Sequence, residues 1–217
     1  MKTLPIRKLI GDGCALWEWE PEISRRSSNN VLSAYRALKV QTDLRQLGML
    51  DVIPAYSSLA VYFNPAGREI NDLLQAVDTT IRSLPVVPDQ STPNATYTFD
   101  VIYDGEDLPR VSSHSGMRIS EIIEAHRRPE YTVAMIGFLP HFPYLIGLDE
   151  RIATPRLETP RKRVKPGSVA IGGAQAGIYP TESPGGWNLI GSTDPSQLQL
   201  IKPGDSVVFQ EAGGQTC

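Results

Sequence analysis

From about residue 93 onward, glycine and proline cut the chain so often that none of its apolar runs can build a helix of ordinary length. TYTFDVIY, YTVAMIGF, GSVAIGG, GWNLIGST and DSVVFQ each meet a glycine or proline within a few positions. Many short strand-like runs separated by such residues point to a closed β-barrel or a sandwich. Helical signals in this half are confined to short stretches after Asp107 and around Ile119–His126.

The first ninety residues read differently. ALWEW at 15–19 alternates apolar and polar behind the turn residues GDG, which predicts a strand. Ser27 to Asn30 offer N-caps for a helix running to about Leu47, with Val31, Tyr35, Leu38, Thr42 and Arg45 along one side and Gly48 as the stop. DVIPAYSSLAVYF reads as a second strand interrupted by Pro54, its better half being Leu59 to Phe63. From about Gly67, the positions Ile70, Leu73, Leu74, Val77, Ile81 and Leu84 follow the helical period. The expectation is a small sheet carrying two helices, with no evident chemistry. PVVPDQSTPNAT, 85–96, holds three prolines and reads as a linker. A boundary near residue 92 gives an N-terminal α/β domain over 1–92 and a β-barrel domain over 93–217, an α+β chain overall.

A chain of 217 residues with 41% hydrophobic content is able to bury roughly 70% of its unfolded surface, enough for either arrangement. Its net charge of −3 gives no global reason to expect nucleic acid or an anionic membrane as partner. Pro5, Arg7 and Lys8 stand where a signal peptide needs its apolar core, and no stretch approaches eighteen apolar residues, which predicts a cytoplasmic protein. Cys14 and Cys217 lie in no CxxC or Cys/His cluster, and His114, His126 and His141 lack ligand spacing, so no metal is expected.

Three pieces of the second half stand out. GFLPHFPYLIGL, 137–148, carries no charge except a potential one on His141, and its glycines and prolines suit either a ligand loop or a rigid barrel corner. RIATPRLETPRKRVK, 151–165, sets six basic residues against Glu158 and repeats Thr-Pro-Arg at 154–156 and 159–161. Guanidinium groups displayed on such Pro-restricted backbone are able to fork onto carboxylate or phosphate, the alternative being a solvated basic loop. In SVAIGGAQAGIYPTESPGGWNLIGST, 168–193, glycines surround Gln175 without forming a dinucleotide or phosphate-loop fingerprint. Such a turn either exposes N–H groups to an anion or is a barrel hairpin with glycine for steric reasons. Neither GxSxG nor a Cys beside a His is present, so no conventional nucleophile is indicated.

Taken together, GFLPHFPYLIGLD, TPRLETPRKRVKPGSVAIGGAQAGIYPTESPGGWNLIGST and the closing PGDSVVF resemble a family with several names. It is variously called the B-type subunit of 5-oxoprolinase, sporulation-kinase inhibitor and allophanate hydrolase subunit 1, that is, carboxyltransferase subdomains C and D. IGDGCALWEW, VIPAYSSLAVYF and the run from YDGEDLPRVSSHSG to YTV extend the resemblance more weakly over the first half. The resemblance implies a small N-terminal α/β domain followed by a cyclophilin-like β-barrel. It implies a partner subunit with another cyclophilin-like domain and an ATP-dependent hydrolysis of 5-oxo-L-proline to L-glutamate, with magnesium beside the nucleotide and a third, separate subunit. Phosphorylation of the lactam oxygen would convert a poor electrophile into an activated one. Two alternatives stay open: inhibition of a sensor histidine kinase, and urea- or allophanate-directed carboxyl transfer, which needs a biotin-carrying partner because no biotinyl-lysine context occurs on this chain. Prolyl isomerase activity does not follow from the fold.

Carried onto this sequence, the resemblance makes Gln175 and Tyr179 catalytic candidates, and His141 joins them as the titratable group of the apolar loop. Arg156, Arg161, Arg163, Tyr144 and Ser168 become candidates for substrate or phosphate, and Phe138, Pro140, Phe142, Gly172, Gly173 and Trp187 for the pocket wall. His141 departs from the family pattern, which has glycine there, so it either sits in a backbone conformation histidine tolerates or adds a titratable group to the pocket mouth. The stretch from Thr193 to Pro203 reads as an abbreviated last connection of the barrel.

Overall fold

The computed structural model describes residues 4–20, 24–67, 69–85 and 95–213, so most of the expected linker, residues 86–94, lies outside the described residues. The chain divides into two compact units, residues 1–92 and 93–217.

The first unit contains β1 (Ile6–Ile10), β2 (Cys14–Glu18), α1 (Arg25–Lys39), α2 (Thr42–Gln46), β3 (Met49–Pro54), β4 (Ser58–Phe63) and α3 (Ile70–Ser83). Its antiparallel sheet has the order β1-β2-β4-β3. Three expectations need correction. The helix expected to run to Leu47 breaks at Val40 into α1 and α2, and its N-cap is Ser24, whose side chain accepts from the Ser27 N–H. DVIPAYSSLAVYF is a hairpin of β3 and β4 and not one interrupted strand, because Pro54 ends β3. β1 is an additional strand; IRKLI is exposed along its whole length, so no burial pattern marks it in the sequence. Trp17 and Ala15 of β2 and Leu59, Val61 and Phe63 of β4 meet Val31, Ala34 and Leu38 of α1 and Leu73, Leu74, Val77 and Ile81 of α3 in one apolar core. The Trp17 indole N–H donates to Asp78 on α3 at 2.8 Å, which satisfies the ring's polar edge within this packing.

The second unit contains β5 (Thr96–Val101), α4 (Leu108–Ser115), α5 (Ile119–Arg127), β6 (Tyr131–Ile136), β7 (Pro143–Ile146), β8 (Arg161–Val164), β9 (Ser168–Gly172), β10 (Gln175–Ile178), β11 (Ser183–Gly185), β12 (Asn188–Ser192) and β13 (Ser206–Glu211). Seven strands form one sheet in the order β12-β9-β10-β7-β6-β13-β5, and β8 with β11 forms a separate two-stranded ladder. Ile102 and Ser192 exchange backbone hydrogen bonds of 2.9 and 2.8 Å, so the two edges of the large sheet meet and nearly close it. This is the expected cyclophilin-like barrel.

The strand period of two sorts the side chains. Phe99, Val101, Tyr131, Val133, Leu145, Val169, Ile171, Ala176, Ile178, Ile190, Val207 and Phe209 share the main core, to which α4 and α5 add Leu108, Val111, Ile122 and Ala125. The alternate positions of β7, β9 and β10 face the other way, and there Ala170 joins Phe142, Tyr179, Val164 and Trp187 in a second, smaller cluster. A candidate site lies on that outer face. The stretch expected to be abbreviated after Thr193 forms a 3-10 helix, Ser196–Leu200.

Candidate functional site

Over the outer face of the barrel, Phe138, Phe142, Tyr144, Arg156, Leu157, Pro160, Tyr179, Pro184, Gly185, Gly186 and Trp187 line a cleft of ≈ 300 Å³. All three sequence pieces singled out above contribute to it. Its floor is a set of aromatic rings in edge-to-face contact: Phe142 lies 5.1 Å from Tyr144, 5.1 Å from Tyr179 and 5.6 Å from Trp187, centroid to centroid. Tyr144 and Trp187 are a further 5.6 Å pair. Such geometry contributes roughly 0.5–1.5 kcal/mol per pair beyond burial, which gives the floor a fixed shape.

Glycine makes that floor possible. A Cβ at Gly172 would come within 2.8 Å of the Trp187 ring, and one at Gly185 would overlap the Tyr179 hydroxyl, so the indole and the phenol end of Tyr179 each lie directly against backbone. Gly173 has a different part. At φ +60 it turns β9 into β10, and its N–H donates to the Thr154 carbonyl at 2.8 Å. The idea that this glycine turn offers N–H groups to an anion is therefore corrected at Gly173, whose donor is already spent.

The cations separate. Arg156 lies over the Trp187 ring, 5.4 Å from its centroid, and among the described residues it is the one basic side chain lining the cleft. Arg161, the second Arg of the repeated Thr-Pro-Arg, turns to α4 instead: its Nη2 lies 2.7 and 2.8 Å from the two oxygens of Asp107, and its Nε 2.7 Å from Glu106. Burial works against the charged guanidinium, but the hydrogen bond and charge of Asp107 outweigh it and raise the Arg161 pKa. Arg163 is exposed and pairs with Glu182 at 3.2 Å. The substrate or phosphate role expected of Arg161 and Arg163 thus meets two guanidinium groups that already hold carboxylates.

The other expected residues also spread out. Tyr179 is buried in the floor; burial raises its pKa, and the backbone of Trp187 and the charge of Arg156 pull the other way. Tyr144 is shifted up by burial too, with Arg156 opposing. Gln175 is buried, and its Oε1 has no hydrogen-bond partner among the described residues. It pairs across the ladder with Gly172, the glycine beneath Trp187, yet it is not among the cleft's lining residues. Ser168 is buried at the other end of β9 and does not line the cleft. Pro140 and His141 lie in the turn between β6 and β7, outside the lining, with His141 exposed. His141 has φ 66, which answers the question its sequence position raised: it occupies a left-handed conformation that glycine takes freely and histidine tolerates. Phe138, at φ 67 and 59% exposed, is strained in the same turn and reaches the cleft with its ring against Phe142 at 5.6 Å.

Sequence reasoning missed the polar frame behind the cleft. Asn188 is fully buried, and its Nδ2 donates to the carbonyls of Pro155 and Ile171 at 3.1 Å and lies 3.4 Å from that of Thr154. Arg110 on α4 donates to the Asn188 side chain and to the Pro155 carbonyl, the latter at 3.2 Å. Asp107, just before α4 begins, accepts from the Leu189 N–H at 2.7 Å as well as from Arg161. The start of α4 therefore ties together β12 and the two segments that carry Arg156 and Arg161. The only sequence signal was the acid and arginine of DGEDLPR around a helix-opening proline, which reads as ordinary capping.

Comparison with known proteins gives the family and the fold. Residues 6–203 match the family described as carboxyltransferase domain, subdomain C and D. The 5-oxoprolinase B-type subunit of Haemophilus influenzae is 52% identical over 215 residues, covering 92% of this chain and 94% of that protein. Among solved structures, TTHA0988 is 34% identical with a TM-score of 0.76; the match takes in 94% of this chain, which spans only 41% of that longer one. The Kluyveromyces lactis urea carboxylase, 17% identical with a TM-score of 0.74 over 95% of this chain and 21% of its own, shares the fold.

Proposed function

The chain belongs to the carboxyltransferase domain, subdomain C and D, family, and on that premise we propose that it is the B-type subunit of an ATP-dependent 5-oxoprolinase. The complex opens 5-oxo-L-proline to L-glutamate, with ATP and magnesium as co-substrate and no biotin on this chain. A planar lactam resists water because its nitrogen lone pair is delocalised onto the carbonyl. Transfer of the γ-phosphoryl group of ATP to the amide oxygen releases ADP and removes that resistance; one water then adds to the carbon and the C–N bond breaks to give an acyl phosphate, which a second water hydrolyses to glutamate and phosphate. Activity requires a second subunit with its own cyclophilin-like domain, together with a third, separate subunit, and the assembly works in the cytoplasm. Among the described residues no helix is long and apolar enough to cross a membrane.

The observation that carries this reading is the cleft, an aromatic floor with Arg156 over Trp187. A small amide with an anionic group suits such walls, and the aromatic floor packs with Ala170 of the barrel strand β9. Tyr144 and Tyr179 are the hydroxyl-bearing residues of the lining, and Gln175 is outside it, on the ladder it shares with Gly172. The test is reconstitution: this chain mixed with its partner subunits forms glutamate from 5-oxoproline only when ATP is present, and loss of that dependence, or its persistence without this chain, would overturn the proposal.

One feature favours a second reading. The strand β1 exposes Ile6, Leu9 and Ile10, the kind of apolar surface that docking on a sensor histidine kinase would use. Suppression of kinase autophosphorylation by this chain without any substrate would support it.

A further inference from the structure

We infer that the cleft takes the lactam itself, ring and carboxylate together, with Arg156 as its anion partner, and that the nucleotide binds elsewhere in the complex. The inference rests on the 5-oxoprolinase reading and divides its two substrates between different surfaces.

Charge comes first. A magnesium nucleotide brings several negative charges along a chain of phosphates, and sites for it gather several cations or a nest of free backbone N–H groups. Here the described lining residues include a single cation, Arg156. The two neighbouring arginines do not enlarge the count: Arg161 is held by Asp107 and Glu106, and Arg163 is exposed, pairs with Glu182 and does not line the cleft. The glycine turn beside the site gives its Gly173 N–H to Thr154. One positive charge matches one carboxylate.

Size and wall chemistry point the same way. A cleft of ≈ 300 Å³ lies at the small end of ligand pockets, a size that suits one five-membered ring with its substituent. Its walls are the flat faces and edges of Phe142, Tyr144 and Trp187, which suit the methylene side of a small ring. Arg156 lies over the indole with its guanidinium carbon 5.4 Å from the ring centroid, and a guanidinium so placed has N–H groups that fork onto a carboxylate. Urea, with neither carboxylate nor apolar face, would use none of this.

The experiment uses the reconstituted complex and measures KM separately for 5-oxo-L-proline and for ATP. In Arg156→Gln, KM for the lactam rises about 10- to 100-fold while KM for ATP stays within about twofold, the scale expected when one charge-assisted contact is lost at a positioned substrate. Pyrrolidin-2-one, the same ring without its carboxylate, separates wild type from variant by less than about twofold, since the group Arg156 would hold is missing. A parallel rise in KM for ATP, or an unchanged KM for the lactam, would overturn the inference. An independent reading comes from the indole NMR signal of Trp187, assigned with Trp187→Phe and followed on the isolated chain during titration with 5-oxo-L-proline and with magnesium ATP. A shift with the lactam alone supports the inference even in a complex that turns over no 5-oxoproline, a result that would sink the 5-oxoprolinase reading and not this one. A shift with the nucleotide, or none with the lactam, would overturn it.

Discussion

Asp107 grips Arg161 with both carboxylate oxygens, at 2.7 and 2.8 Å, and the acid's side chain is 8% exposed against 22% for its partner. The pair joins the start of α4 to β8 across 54 positions of sequence. Removing the guanidinium strands a buried carboxylate, so Arg161→Ala is expected to cost about 3 kcal/mol of stability. Asp107→Ala added to it costs less than the sum of the two single changes, with a coupling of about 1–3 kcal/mol. Urea denaturation of the two single variants and the double variant checks this. Additive losses would show that the pair contributes nothing as a pair.

Asn188 is the other fastening. Asn188→Ala takes one donor from the carbonyls of Pro155 and Ile171, and a longer contact from that of Thr154, and removes the side-chain acceptor used by Arg110. A loss of about 2–3 kcal/mol is expected. Hydrogen exchange gives the local reading: the amides of Leu157 and Gly173, bonded to Gly186 and Thr154, should exchange faster in the variant before global unfolding does.

His126 predicts an acid limit. It is fully buried between Tyr131 and Phe209, its Nδ1 is 2.8 Å from the Tyr103 hydroxyl, and burial pushes its pKa down to about 3. Unfolded, a histidine titrates near pH 6.5. Between those values the unfolded chain holds a proton the folded one refuses, so stability is complete above about pH 6.5 and falls as pH drops toward 3. The slope from this one group is about 1.4 kcal/mol per pH unit. Stability curves measured at successive pH values should flatten by that amount in His126→Gln, whatever its stability at neutral pH.

For His141 the expectation is silence. Glycine relieves about 1 kcal/mol of left-handed strain at φ 66 and gives back about as much in unfolded-chain entropy, so His141→Gly should stay within about 1 kcal/mol of wild type. The imidazole lies outside the cleft lining, and the pH profile of the complex's activity between about pH 5.5 and 8 should follow that of wild type. A changed profile would return this residue to the site.

What could be read beforehand followed from periodicity and turn chemistry. The short runs of the second half became strands, and α3, α4 and α5 lie where apolar spacing puts them, because local patterns decide local structure. β1 escaped because both of its faces are exposed, and hydrophobic pattern marks only a buried face. The three blocks that build the cleft were visible as motifs, but which arginine faces it was not. Arg156 and Arg161 stand in the same Thr-Pro-Arg context, and what separates them is Asp107, more than fifty positions from Arg161, which only the fold brings beside it. Asn188 was likewise overshadowed by the tryptophan before it, since a polar residue's partners, when they are backbone carbonyls, leave no trace in composition.

The parallel ladder between β5 and β13, Thr96 to Val101 against Ser206 to Glu211, sets a timetable for making the protein. β13 is the strand that β5 pairs with, and the opposite edge of β5 meets the segment from Ser192 to Gln197 through the bridge at Ser192 and side-chain bonds from Thr193 and Gln197. Both arrive roughly a hundred residues after β5 has left the ribosome, which at about 5–20 residues per second is a wait of roughly 5 to 20 s. During that time Phe99 and Val101 have no sheet to enter, and the nascent chain carries an apolar strand open to wrong neighbours. The second unit therefore cannot finish folding piecemeal as it is synthesised, and chaperone dependence during expression should be set by this strand more than by any other.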